Sequence, residues 1–216
     1  MDTSKKHLVL SAYHEAGHAV ARVVGARARG FKPKCFEAIE IYASGGKNVA
    51  GEVSGFVEGI GPVTFETERH HQEWLRWDII DSIAGPASEG LFTLIEKFDL
   101  EQGEEAADIL FALRVNLAEW LESSTNAGNC DSYQALKQLA ELQRFSCDVP
   151  SRESLIEEAL STVANNWGAV SNLAEALLEY RRLDYEAALP IILSGLGHGL
   201  AERAANPASI FTKMRE

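Results

Sequence analysis

Features that mark several classes of protein are missing from this chain of 216 residues. No apolar run approaches the roughly 20 residues that a membrane-spanning helix needs, so we expect no membrane segment. Residues 1–7 are polar and lack the apolar core of a signal peptide. The cysteines have no CxxC spacing, which favours reduced thiols in a cytoplasmic protein over disulfides or a cysteine zinc site; they are Cys35, Cys130 and Cys147.

Basic residues are also scarce. Lys and Arg total 20 against 32 Asp and Glu, which gives a formal net charge of -12. An acidic chain without a basic cluster argues against a nucleic-acid partner. A GxxxxGK[ST] loop is missing as well, which excludes ATP hydrolysis by the P-loop mechanism. At this length we expect one domain with a substantial core.

The feature that stands out is an H-E-x-x-H motif near the start of the chain, His14-Glu15-Ala16-Gly17-His18. Two histidines four residues apart lie on one face of a helix, where both rings can bind one zinc ion and the glutamate can reach a water molecule on it. A surface helix that binds no metal is the alternative. Gly17 has no side chain and would let another backbone approach closely. Apolar residues at helical spacing predict the helix itself: Leu8, Ala12, Ala16, Ala19, Val20 and Val23.

The rest of the chain predicts a mainly α domain with a small β-sheet. Alternating apolar residues predict strands at 36–42 and, more weakly, at 49–57, paired as a hairpin. A helix is predicted from about residue 68, with a kink or break at Gly85-Pro86. The later predicted helices span 104–122, 132–146, 151–179 (divided near Trp167-Gly168) and 184–194, the last with Asp184 as its N-cap. Residues 1–194 thus form a single domain, and a tail over 195–216 is expected to be poorly ordered.

The segment 12–20, Ala-Tyr-His-Glu-Ala-Gly-His-Ala-Val, resembles the zinc helix of the FtsH-type peptidase family, the protease domains of membrane-anchored AAA+ proteases. Later segments are similar to that family's strand, its Ala-Gly-Arg-x-Ala-Glu-Glu segment, its aspartate-bearing helix and its closing helices: 39–41, 84–90, 106–109 and 165–179. Pro86 stands where the family has arginine, and Gly90 stands where it has a second glutamate. The family's ATPase and transmembrane segments are missing, so we expect a free-standing relative.

The resemblance implies a zincin-like peptidase domain (α+β) with a zinc-binding helix and a β-hairpin. It implies Zn²⁺ ligation by His14, His18 and Asp108, with Glu15 as the catalytic base and acid. Glu89 is the rival third ligand, or else a partner that orients a histidine. The adjacent His70 and His71 would point in different directions on a helix, so they would not chelate one ion well. We interpret them as surface residues.

These expectations combine into a zinc-dependent, ATP-independent endopeptidase that hydrolyses extended or unfolded polypeptides through a zinc-activated water. The edge of the 36–42 strand is expected to hold the substrate by β-augmentation. The alternatives are a non-catalytic metal- or peptide-binding regulatory module on the same scaffold, and a protease-like partner in a larger assembly. Glu15 favours the enzyme, because a binding module has no need of it. The substrate, the cleavage preference and a homo-oligomer are left open.

Overall fold

A computed structural model of the chain describes residues 3–30, 34–42, 55–57, 67–98, 105–123, 131–145 and 149–200. Within these ranges the elements are α1 (Thr3–Ala28), β1 (Ala38–Ile41), β2 (Gly55–Val57), α2 (Glu68–Phe98), α3 (Glu105–Ser123), α4 (Asp131–Phe145), α5 (Arg152–Asn165), α6 (Trp167–Tyr180), β3 (Arg182–Asp184) and α7 (Tyr185–Gly195). The predicted mainly helical fold with a small sheet is confirmed. None of the described helices is long and apolar enough to cross a bilayer.

Helix α1 lies at the centre of the domain, packed against α2 and α6. Its small residues allow the close approach to α2 that Gly17 predicted: a Cβ atom at Gly17 would lie 2.5 Å from the carbonyl oxygen of Ala84. Tyr13 is fully buried and stacks on Phe92, with ring centroids 4.0 Å apart. This tight packing fixes the helix on which the H-E-x-x-H motif lies.

The sheet is antiparallel, with strand order β2-β1-β3. Ile39 in the central strand lies opposite Val57 on one side and Leu183 on the other. The predicted pairing of the first two strands is confirmed, although the connection at 43–54 lies outside the described residues. Strand β3 was not predicted, because three residues are too few to show an alternating pattern. Since β1 is paired along both sides, the expected addition of a substrate strand to its edge is wrong.

Of the kink or break expected at Gly85-Pro86, the break is absent, because helix α2 continues through Pro86. Proline removes one backbone hydrogen bond, but the residues around it are held in the core, with Ile83, Ala84 and Ala87 at 1% exposure or less. The predicted division near Trp167 is confirmed, since α5 and α6 meet at Asn166. The predicted cap of α7 is also confirmed: the backbone N–H of Ala187 donates to Asp184 Oδ1. Most of the expected tail, residues 201–216, lies outside the described residues.

Helix α4 packs mainly against α2. Ala135 and Leu142 are buried on its inner face, and between them Gln138 donates a hydrogen bond to Asp78 of α2. Further along, His71 lies 3.4 Å from Glu141, measured from Nε2 to Oε1. These contacts hold α4 against the first half of α2.

The buried carboxyl of Asp78, between α2 and α4, makes the free energy of unfolding depend on pH. Burial raises its pKa to about 7, and the neighbouring Asp81 adds to the rise. Arg22, the hydrogen bond from Gln138 and Arg29 oppose it. An unfolded chain releases this proton near pH 4, so between about pH 4 and about pH 7 the folded state binds more protons than the unfolded state. This group therefore makes the free energy of unfolding fall as the pH rises through that window.

The variant Asp78→Asn stays neutral and can still accept from Gln138. We expect it to flatten this fall and to raise the free energy of unfolding by about 2 kcal/mol at about pH 8, with little change at about pH 4. Urea titrations at both pH values measure the difference, and Asp108→Asn, at an exposed position, is the control. Equal gains from Asp78→Asn at both pH values would show that the carboxyl titrates normally.

Candidate metal centre

The two histidines of the motif share one face of α1, as predicted. Both are 7% exposed, and their ring centroids are 4.8 Å apart. Their Nε2 atoms turn toward one oxygen of Asp131, the first residue of α4: Oδ2 lies 3.0 Å from His14 Nε2 and 3.5 Å from His18 Nε2. The three side chains form a group whose ligand atoms all lie within 4.8 Å of one another.

This group fits a zinc ion. Zinc ligands at about 2.0–2.1 Å in tetrahedral geometry are separated from each other by about 3.3 Å. The two distances from Asp131 Oδ2 to the histidine nitrogens, 3.0 and 3.5 Å, fall on either side of that value. Two imidazoles and one carboxylate are also a donor set that zinc accepts, and three protein ligands leave a fourth position for water or substrate.

Each histidine also contacts a hydrogen-bond acceptor through its second ring nitrogen, Nδ1. His14 Nδ1 lies 3.1 Å from Glu89 Oε2, and His18 Nδ1 lies 2.8 Å from the backbone carbonyl oxygen of Asp81. An Nδ1–H that donates to such an acceptor leaves Nε2 unprotonated and free to bind a metal ion. Of the two roles considered for Glu89, the structure places it in contact with Nδ1, which is the orienting position.

Asp108 is not part of this group. Its side chain is exposed on α3, because the neighbouring Ile109 turns the inner face of that helix, with Leu113 and Leu117, into the core. We therefore correct the third candidate ligand from Asp108 to Asp131. Little in the sequence pointed to Asp131 as a ligand, because an aspartate between a polar stretch and a helix is ordinarily a capping residue.

The charges of the three side chains are strongly coupled. Burial lowers the pKa of both histidines, but Asp131 and the carboxylates behind the rings outweigh burial and hold both values above the usual range. For Asp131, burial favours the neutral form, and the two histidines nevertheless keep its pKa well below the ordinary value. The carboxylates that raise the pKa of the two histidines would also attract a metal cation placed beside their Nε2 atoms.

Glu15 lies beside the two histidines on α1 and is 4% exposed. Burial raises the pKa of its carboxyl above the ordinary value, while His18 and His14 oppose the rise. A glutamate whose pKa is brought closer to neutral can both accept and return a proton, which is what general acid–base catalysis requires. Glu15 is not among the three side chains of this group, and its catalytic place beside them stays a prediction.

Gly85 of α2 leaves the space that the His18 ring occupies. A Cβ atom at this position would lie 2.3 Å from His18 Nε2. We expect Gly85→Ala to turn the ring away from Asp131 and to weaken zinc binding at least about tenfold, as measured by competition with a chromogenic chelator. Gly90→Ala is the matched control on the same helix, because its Cβ atom would meet only the flexible end of Leu113. Unchanged zinc affinity in Gly85→Ala would show that His18 does not need this position of its ring.

No known family model matches the sequence, and no curated protein matches it significantly. The resemblance to FtsH-type peptidases therefore depends on the motif residues themselves.

Proposed function

We propose that this chain is a zinc-dependent, ATP-independent endopeptidase of the FtsH type that cleaves extended or unfolded polypeptides. The observation that carries the proposal is the convergence of His14 and His18 of α1 with Asp131 of α4, with Glu15 buried beside them. The H-E-x-x-H motif alone is compatible with a metal-free surface helix. Burial of both histidines, and a carboxylate in front of their Nε2 atoms, favour a metal centre instead.

In the proposed mechanism, His14, His18 and Asp131 would hold the metal. A zinc ion held there would supply Lewis acidity toward the scissile carbonyl and a water molecule. Glu89 and Asp81 keep the two rings in the orientation that presents Nε2. The Glu15 carboxylate takes the proton from the attacking water and passes it to the leaving amine nitrogen.

The direct test is cleavage of casein by the purified, zinc-loaded chain. We expect cleavage that stops when a chelator removes the metal, returns when zinc is restored, and does not change when ATP is added. The competing function, a metal- or peptide-binding module, predicts full zinc occupancy and no cleavage. Cleavage that persists in the metal-free protein would contradict the zinc mechanism, and stimulation by ATP in a preparation free of other ATPases would contradict ATP independence.

A further inference from the structure

A buried ion pair lies directly behind His18. Arg22, one helical turn after His18 on α1, donates from Nε to Asp81 Oδ2 of α2 at 2.9 Å. Asp81 is only 6% exposed. Because residues four apart share a helix face, Arg22 and His18 both reach the same aspartate across the α1–α2 contact.

Asp81 contacts the His18 ring through two groups. Its backbone carbonyl accepts from Nδ1 at 2.8 Å, and its carboxylate oxygen Oδ1 lies 3.3 Å from the same nitrogen. Oδ1 is buried without another hydrogen-bond partner among the described residues. The carboxylate therefore lies between the guanidinium of Arg22 on one side and the imidazole of His18 on the other.

The two histidines are thus held differently. The partner of His14 is the Glu89 side chain, which is 31% exposed, whereas the Asp81 side chain is 8% exposed and fixed by an arginine. Removing two charges from water costs free energy that their attraction often fails to recover, so a buried ion pair is weak evidence for a stabilising role. The contact of the Arg22–Asp81 pair with His18, a candidate metal ligand, suggests a more specific role for it.

We propose that Asp81 and Arg22 are positioning residues of the metal centre. Arg22 fixes the Asp81 carboxylate, and Asp81 fixes the rotation of the His18 ring so that Nε2 faces Asp131. This inference depends on the proposed metal centre but not on peptidase activity. It makes His18 the firmly held ligand and gives the centre a geometry set by the α1–α2 contact.

Two variants separate positioning from stability. Asp81→Asn removes the charge while keeping the backbone carbonyl and an oxygen that can accept from Arg22. The double variant Arg22→Met with Asp81→Leu replaces the ion pair by an apolar pair, a change that is often neutral or stabilising for the fold. Glu158→Gln is the control, because it removes the charge from a different ion pair of α2, the one that Arg76 forms with Glu158 of α5.

The readouts are zinc affinity and the visible absorption spectrum of the cobalt-substituted protein, which reports the geometry of the metal. We expect about a tenfold or greater loss of zinc affinity and an altered cobalt spectrum in both variants, with neither change in Glu158→Gln. Thermal unfolding of the metal-free proteins shows whether the double variant retains the fold. If it does not, the zinc affinity and cobalt spectrum of Asp81→Asn test the positioning role. Wild-type affinity and an unchanged cobalt spectrum in Asp81→Asn, or in a folded double variant, would overturn the positioning role. A wild-type chain that binds no zinc would instead contradict the metal centre itself.

Discussion

Glu15→Gln is expected to retain zinc and to lose most of its peptidase activity. The substitution keeps the shape of the side chain and touches none of the three candidate ligands, so zinc content and thermal unfolding should remain near wild type. It removes the proposed proton acceptor, and the loss of general acid–base catalysis lowers rates by about 100-fold or more. The measurement is the rate of casein cleavage by variant and wild type at equal zinc occupancy.

The control for this variant is Glu119→Gln, at an exposed position on α3, which should leave the rate unchanged. Chelator-sensitive cleavage that survives undiminished in Glu15→Gln would remove this glutamate from the mechanism. If the zinc-loaded wild type cleaves no unfolded protein, the non-catalytic binding module becomes the better account.

Asp131→Ala is expected to cause the largest loss of zinc affinity among the single substitutions considered. It removes one of the three candidate ligands and leaves two buried histidines without the carboxylate that their Nε2 atoms face. We expect affinity to fall by about 100-fold or more, as measured by chelator competition. Asp108→Ala is the matched control, because the same residue type is removed from an exposed position on α3.

Comparison of Asp131→Ala with Asp108→Ala shows which aspartate is the third ligand. Loss of zinc in Asp108→Ala with retention in Asp131→Ala would restore the ligand set implied by the family resemblance. Glu89→Ala should reduce affinity less than Asp131→Ala, because Glu89 acts through His14. A greater loss in Glu89→Ala would make Glu89 the third ligand.

The part of the site that could be predicted from sequence is the part that lies within one helix. The four-residue spacing of His14 and His18 fixes their common face by local geometry alone, and the apolar stripe fixes which face meets the core. The division between α5 and α6 and the cap at Asp184 are local in the same way. Each depends on a few consecutive residues and could therefore be predicted.

What could not be predicted depends on how separate elements dock. Asp131 reaches the histidines only because α4 packs on α2, through contacts such as the hydrogen bond from Gln138 to Asp78. Asp108 lies in an equally plausible sequence setting and was turned outward by the packing of Ile109. Strand β3 is defined by its pairing with β1, and the alternation of three residues is too short to predict a strand.

Anomalous diffraction at the zinc absorption edge, from crystals of the zinc-loaded chain, tests the proposed centre most directly. We expect one zinc ion per chain, bonded to Nε2 of His14, Nε2 of His18 and the carboxylate of Asp131, with the Glu15 carboxylate nearby but not bonded to the metal. Zinc bound through the Nδ1 atoms, zinc bound without Asp131, or no zinc at this position after loading would contradict it.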